Sequence, residues 1–305
     1  YIRGWKNWGK LYIVLSYILF LITFLLGTRK YGAINWITIG GHSFQPAEIT
    51  KLLLIFILAF YYSNMDMFKD RKYSEYILMG LVYSFIGPLF LQRDLGTAVI
   101  FLGIYMVIQF IHEEKRMNIL YNIGLFAVGG TLGYVLFDHV KIRVQTWINP
   151  WIYIDNKGYQ ITQSLFAIAE GGFFGTGIGL GNPEFIPLAY TDFIFSAICE
   201  EMGIFIGIGI IMLFMILVYR GFKIALNQND KFFRILAIGV STLFGIQSII
   251  IIGGVIKVLP LTGITLPFVS YGGSSILSSF IALGILQISS EDMSYKEEEY
   301  CETRK

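Results

Sequence analysis

Long apolar runs separated by short charged segments set the pattern of this chain. A bilayer core needs about 20 predominantly apolar residues per helix. Eight runs qualify, at about residues 10–27, 47–64, 75–92, 95–112, 117–137, 193–219, 233–256 and 268–289. They predict an all-α polytopic membrane protein with about eight transmembrane helices. The second run is the weakest, because it contains Glu48 and Lys51; at i and i+3 these share a helix face and can pair. Between the fifth and sixth runs lies a polar, Gly-rich segment, 138–192, too long for a passive connector. Within it, residues 159–170 carry apolar residues at 161, 165, 166, 168 and 169, with Gln160, Gln163 and Ser164 on the other side. That spacing predicts a short amphipathic helix lying at the interface.

Composition agrees: 55% hydrophobic, 14% charged, mean hydropathy +0.64, where soluble domains carry roughly 25% charged residues. A net charge of +2 without a basic block excludes nucleic-acid binding as the organising function. Cys199 falls in a span and Cys301 in the terminal tail, which speaks against a bridge, and His42, His112 and His139 lack metal-ligand spacing. The first run is full length and ends in Gly27-Thr28-Arg29-Lys30, unlike a cleaved signal.

The positive-inside rule orients the chain. With the N-terminus inside, the inner segments hold fifteen Lys and Arg: Arg3, Lys6, Lys10, Lys69, Arg71, Lys72, Lys115, Arg116, Arg220, Lys223, Lys231, Arg234, Lys296, Arg304 and Lys305. The outer segments hold seven: Arg29, Lys30, Arg93, Lys141, Arg143, Lys157 and Lys257. Both termini are thus expected in the cytoplasm, with residues 1–290 a single transmembrane domain, 138–192 its large extracellular loop and 291–305 a cytoplasmic tail with solvated Glu297-Glu298-Glu299.

The polar chemistry then gathers on the outer side. Asp192, in Thr191-Asp192-Phe193-Ile194-Phe195, is a carboxylate at the mouth of a long apolar helix, costly there without a job or a partner. The Gly-rich run 171–181 can cradle phosphates with its backbone amides or be a tight loop needing positive φ. Asp94 and Thr97, in Gln92-Arg93-Asp94-Leu95-Gly96-Thr97, have helix-capping spacing. Residues 260–275, with Pro260 and Pro267 among several glycines, suit a broken or re-entrant segment buried in protein or lining a wet cavity. Lys51, Arg143 and Lys257 can meet an anionic ligand or snorkel at the interface. One acid, several cations and a polar lining above apolar walls suit an amphiphile with a phosphate-bearing head, for an enzyme or a transporter.

Six motifs occur in order: Gly32-Ala-Ile-Asn-Trp with Phe44-Gln-Pro-Ala-Glu-Ile-Thr-Lys51; Gln92-Arg-Asp-Leu-Gly-Thr97; Gly158-Tyr-Gln-Ile-Thr-Gln-Ser164; Gly171-Gly with Gly175-Thr-Gly-Ile-Gly179; Thr191-Asp-Phe-Ile-Phe with Glu200-Glu201; and Leu259-Pro with Leu266-Pro-Phe-Val-Ser-Tyr-Gly-Gly-Ser-Ser275. In these, from near residue 10 to about 290, the chain resembles the SEDS family (shape, elongation, division and sporulation) of RodA/FtsW/SpoVE type. The resemblance implies a peptidoglycan glycosyltransferase in the bacterial cytoplasmic membrane, polymerising lipid II at the outer face with undecaprenyl pyrophosphate leaving. It aligns Asp192 with the family's essential acid, read here as a general base with an ordinary carboxylate pKa of about 4. Glu48, Lys51, Gln92, Asp94, Arg143, Gln160, Gln163, Ser164, Ser270, Tyr271 and Ser274 are the implied substrate-binding residues, with Lys51 and Arg143 offsetting pyrophosphate charge beside a divalent cation such as magnesium or manganese. A class B penicillin-binding protein is the implied partner, besides membrane lipids.

The departures are specific. The family usually has about ten spans, and this chain begins where the third would start. Asn35 replaces the Arg of the Gly-Ala-x-Arg-Trp motif, and Gln-Pro-Asp reads Gln92-Arg93-Asp94. Leu188 and Tyr190 replace a Glu and a His before Thr191-Asp192; Ile251 replaces an Asn, with Gln247 a turn earlier as a substitute; Lys257 stands where Gly is common. Two other functions compete with the enzyme. A lipid II flippase would need a polar path and alternating access, for which mid-span charges are wanting. A non-catalytic scaffold for the transpeptidase would keep the fold and dispense with Asp192.

Overall fold

The structure, a computed structural model, describes residues 8–30, 33–40, 42–65, 73–113, 116–155 and 158–291. Gly32, the tail 292–305 with Cys301 and Glu297–Glu299, and the cations Arg3, Lys6, Lys69, Arg71, Lys72, Lys115, Lys157, Lys296, Arg304 and Lys305 lie outside the described residues. The chain is mostly helical: α1 (Gly9–Leu26), α2 (Pro46–Ser63), α3 (Ser74–Leu91), α4 (Leu95–His112), α5 (Arg116–Leu136), α6 (Asp138–Ile148), α7 (Tyr159–Gly171), α8 (Ile194–Asn227), α9 (Lys231–Val255) and α10 (Gly273–Ser289). Among the described residues seven of these, α1–α5, α8 and α9, are long and apolar enough to cross a membrane, and α10 is a shorter apolar helix. All eight expected spans are therefore present as helices. The last starts at Gly273 instead of residue 268, because Pro267 and the left-handed Phe268 (φ 63°) hold its approach in a turn.

Three strands join the helices in a small antiparallel sheet not expected from the sequence: β1 (Thr28–Lys30), β2 (Ala33–Ile39) and β3 (His42–Phe44). Along β2, buried Asn35 and Ile37 alternate with exposed Ile34 and Thr38, the two-residue period of a half-buried strand.

By its contacts the chain falls into two compact units. Residues 1–119, 217–243 and 277–305 make one; 120–216 and 244–276 make the other. In the first unit, α2 is the buried helix, with 78% of its span inside. Its burial explains why two charges survive there. Lys51 Nζ lies 2.9 Å from Glu48 Oε1, and Ser278 Oγ donates to Glu48 Oε2 at 2.7 Å. Removing one member of such a pair strands the other, at about 3–5 kcal/mol. The same unit buries Glu113, which accepts from Tyr62 Oη (2.7 Å), Gln109 Nε2 (2.9 Å) and Asn118 Nδ2 (3.0 Å). By contrast, only 11% of the α5 span is buried, so its apolar surface is left for lipid.

Candidate active site

In the second unit, the residues around Asp192 form a braced turn. Leu188 takes a left-handed conformation (φ 63°), and the amides of Thr191 and Phe193 both donate to its carbonyl. Helix α8 begins two residues after Asp192, on Phe193 and Phe195, which are fully buried. The broken segment after α9 clamps this turn. Ser270 Oγ donates to the Thr191 carbonyl (2.6 Å) and accepts from the Leu266 amide (2.8 Å), while the Tyr271 amide donates to the Tyr190 carbonyl (2.8 Å). Gln247 Nε2 holds the Thr265 carbonyl (2.7 Å), so the residue offered as a substitute for the family's Asn does brace this loop.

Arg143 reaches the same place from α6. Its Nη1 donates to the Thr262 carbonyl at 2.6 Å. A Cβ on Gly263 (φ 72°) would lie 2.9 Å from Arg143 Nη2 and 3.4 Å from Asp192 Oδ2, so this glycine lets the backbone run close to both charges. Burial pushes the Asp192 carboxyl above its ordinary range; the Arg143 charge and a hydrogen bond from Thr191 pull the other way without cancelling it. The expectation of an ordinary pKa is thereby corrected. A carboxylate raised by desolvation and steadied by a guanidinium suits general-base work better than an unperturbed one.

The Gly-rich loop has a different role from a phosphate cradle. Helix α8 is interrupted at Gly203 (φ 82°, ψ 166°), and the loop fills the break. Thr176 and Gly177 amides donate to the Glu200 and Glu201 carbonyls, both at 2.9 Å. Ile204 and Phe205 amides return to the Gly172 and Phe173 carbonyls at 3.0 and 3.3 Å. The acids complete the seam: Glu201 Oε1 accepts from the Gly179 amide (3.1 Å) and Glu200 Oε1 from the Asn182 amide (2.6 Å). Amides so engaged are not free for an anion, and the tight-loop alternative describes the segment.

The other expected residues divide by what they touch. Ser164 is fully buried, its hydroxyl bonded to Ser196 Oγ (2.6 Å) and the Val255 carbonyl (3.2 Å), so it packs α7 instead of lining its polar side. Gln160 and Gln163 are half-buried, Ser274 is buried and Tyr271 is 78% exposed. Ser270 is a brace. In the first unit, Asp94 caps α4 through the Thr97 amide (3.1 Å) and ties down β2 and the start of α2 by accepting from Asn35 Nδ2 (2.7 Å) and Gln45 Nε2 (3.0 Å). Asn35, standing where the motif has Arg, still holds this acid. The Gln92 carbonyl accepts from the Ile34 amide (3.0 Å), and its Nε2 is buried without a partner among the described residues. Lys51 is 2% exposed and engaged by Glu48. Thr262 and Gly263 also belong to this site, and their signal in the sequence is the run Pro260-Leu261-Thr262-Gly263.

Among the described residues no group of three His, Cys, Asp or Glu side chains converges. With Arg143 beside Asp192, the donor set does not fit a protein-held divalent cation.

The chain matches the family profile described as "Cell cycle protein" (FtsW, RodA, SpoVE) over residues 1–294. The chain belongs to this family. As an FtsW/RodA/SpoVE member, it is 39% identical over 273 residues to the peptidoglycan glycosyltransferase RodA of Mycobacterium tuberculosis H37Rv, covering 85% of this chain and 58% of that protein. The chain thus spans less than two thirds of that relative's length. It is 36% identical over 291 residues to stage V sporulation protein E of Bacillus subtilis, covering 92% of this chain and 78% of that one. Among solved structures, a peptidoglycan synthase complex that coordinates polymerization and crosslinking superposes with a TM-score of 0.78 at 28% identity, covering 94% of this chain and 82% of that chain. The Thermus thermophilus rod shape determining protein RodA superposes with a TM-score of 0.67 at 27% identity, covering 93% and 79%.

Proposed function

We propose that this family member is a peptidoglycan glycosyltransferase that polymerises lipid II at the outer face of a bacterial cytoplasmic membrane. The observation carrying this reading is the Asp192 carboxyl, raised by burial and held on a braced turn beside Arg143. Asp192 takes the proton of the acceptor sugar's 4-hydroxyl while that oxygen attacks the donor's anomeric carbon. The bond from that carbon to the pyrophosphate oxygen breaks, and undecaprenyl pyrophosphate departs with the electron pair. Arg143 offsets the charge gathering on the leaving group. A class B penicillin-binding protein is the proposed partner; the likeness to a synthase complex supports an assembly of that kind.

The test is polymerisation of lipid II by purified protein and its Asp192→Asn variant. A positioned base contributes about 10²–10⁴-fold, so the variant should lose activity by that factor. Its fold should not suffer. A carboxyl whose folded pKa is raised gives stability below the unfolded pKa and loses it as pH rises through the folded one, so at neutral pH the ionised group is a net cost. The variant should therefore melt no lower than wild type. Equal polymer from both would sink the base assignment; none from either, with transpeptidase present, would favour the scaffold.

A further inference from the structure

At the other end of α8 from the Asp192 turn, Arg220 and Lys223 lie three residues apart, on one helix face. Both are exposed, and neither has a polar or ionic partner among the described residues. With Asn227, Gln228, Ser289 and Glu291 they line a cavity of about 320 Å³ in the first unit. Gln228 gives it a fixed floor. Its Nε2 donates to the Ser289 (2.7 Å) and Glu291 (3.0 Å) carbonyls, and its own carbonyl accepts from Arg234 Nε (3.0 Å) and Nη2 (2.8 Å). Among the described residues Glu291 is the one carboxylate in the lining, against two cations.

The helices that reach this cavity are greasy. Tyr219 on α8 is 63% exposed, and Leu277, Phe280 and Ile281 on α10 are exposed in the same unit. Tyrosine beside basic residues at the end of an apolar helix marks a headgroup depth. A basic pocket between membrane helices, bordered by apolar surface, has the chemistry that anionic lipid headgroups need.

We propose that this cavity binds the phosphate of an anionic glycerophospholipid between Arg220 and Lys223, with its acyl chains on the neighbouring apolar helix surface. The site is independent of the reaction at Asp192, and its test does not depend on activity.

Full-length protein in neutral detergent is titrated with short-chain phosphatidylglycerol, with phosphatidylcholine of equal chain length, and with inorganic phosphate, binding being read by native mass spectrometry. Wild type should prefer phosphatidylglycerol. Arg220→Gln or Lys223→Gln should each weaken that preference about fivefold, and the pair about thirtyfold. Arg116→Gln, an exposed cation elsewhere on the same unit, should leave it unchanged, and all variants should keep the wild-type melting temperature in neutral detergent. An undiminished preference in the double variant overturns the proposal. So does an equal loss in Arg116→Gln, which would mean general surface charge, or displacement of the lipid by equimolar inorganic phosphate, which would mean a free-anion site.

Discussion

Burial raises the Asp192 carboxyl, and the Arg143 charge partly opposes it. Since a base must be deprotonated, the rate should fall as pH drops through the raised pKa. Arg143→Gln removes a charge that lowers that pKa, so the acid limb of the pH–rate profile should move to higher pH. A purely structural arginine would lower the plateau and leave the limb where it was. Four described non-glycine residues hold positive φ. Leu188, Lys257 and Phe268, in the second unit, hold φ of 62–63°, and in the first so does Arg93, a value closed to the proline of the family's motif. Lys257 explains why glycine is common at its position: an L-residue there costs roughly 1–2 kcal/mol. Lys257→Gly should raise stability by about 1 kcal/mol in chemical denaturation, its carbonyl still accepting from Trp147 Nε1. If polymerisation also survives, Lys257 is not a ligand contact; a large loss of rate would restore that role.

At the level of elements, the legible parts were those whose signal is one long period. Each of the eight apolar runs became a helix, and α7 (Tyr159–Gly171) appeared where amphipathic spacing placed it. The misses share a cause. In β2, buried Asn35 and Ile37 alternate with exposed Ile34 and Thr38, too short a pattern to outweigh a loop rich in polar residues. Helix α6 has charged Asp138, Lys141 and Arg143 among its eleven residues, so hydropathy says nothing of it. Ser164 was put on the polar face by residue type, whereas a small hydroxyl packs well between helices when Ser196 and a carbonyl satisfy it. The glycine loop was ambiguous because both of its readings need glycine; only the break at Gly203 decides between them. That seam makes a strict demand. A Cβ on Gly175 would sit 2.2 Å from the Glu201 carbonyl oxygen, at φ 85°. Gly175→Ala should therefore cost a few kcal/mol and open α8 at its break. Faster hydrogen exchange at Ile204 and Phe205, with the α4 amides unchanged, would register it; exchange like wild type would mean that the seam is slack.

For the molecule as a whole, sidedness follows from charges that weigh on insertion, fifteen inside against seven outside, and ten of these lie outside the described residues. The structure supplies positions at which that inference can be read directly. Tyr190 precedes α8 and Leu226 lies in its last turn, at 65% and 83% exposure, and the helix is apolar enough to cross a bilayer. The native thiols interfere little. Cys199 is buried, and Cys301 can be changed to serine. In a Cys301→Ser background, a membrane-impermeant maleimide should label Tyr190→Cys in intact cells and Leu226→Cys only after permeabilisation. The reverse pattern would put Asp192 in the cytoplasm, where a polymerase of outer-leaflet lipid II has no substrate, and would remove the proposed enzyme whatever the chemistry of its carboxylate.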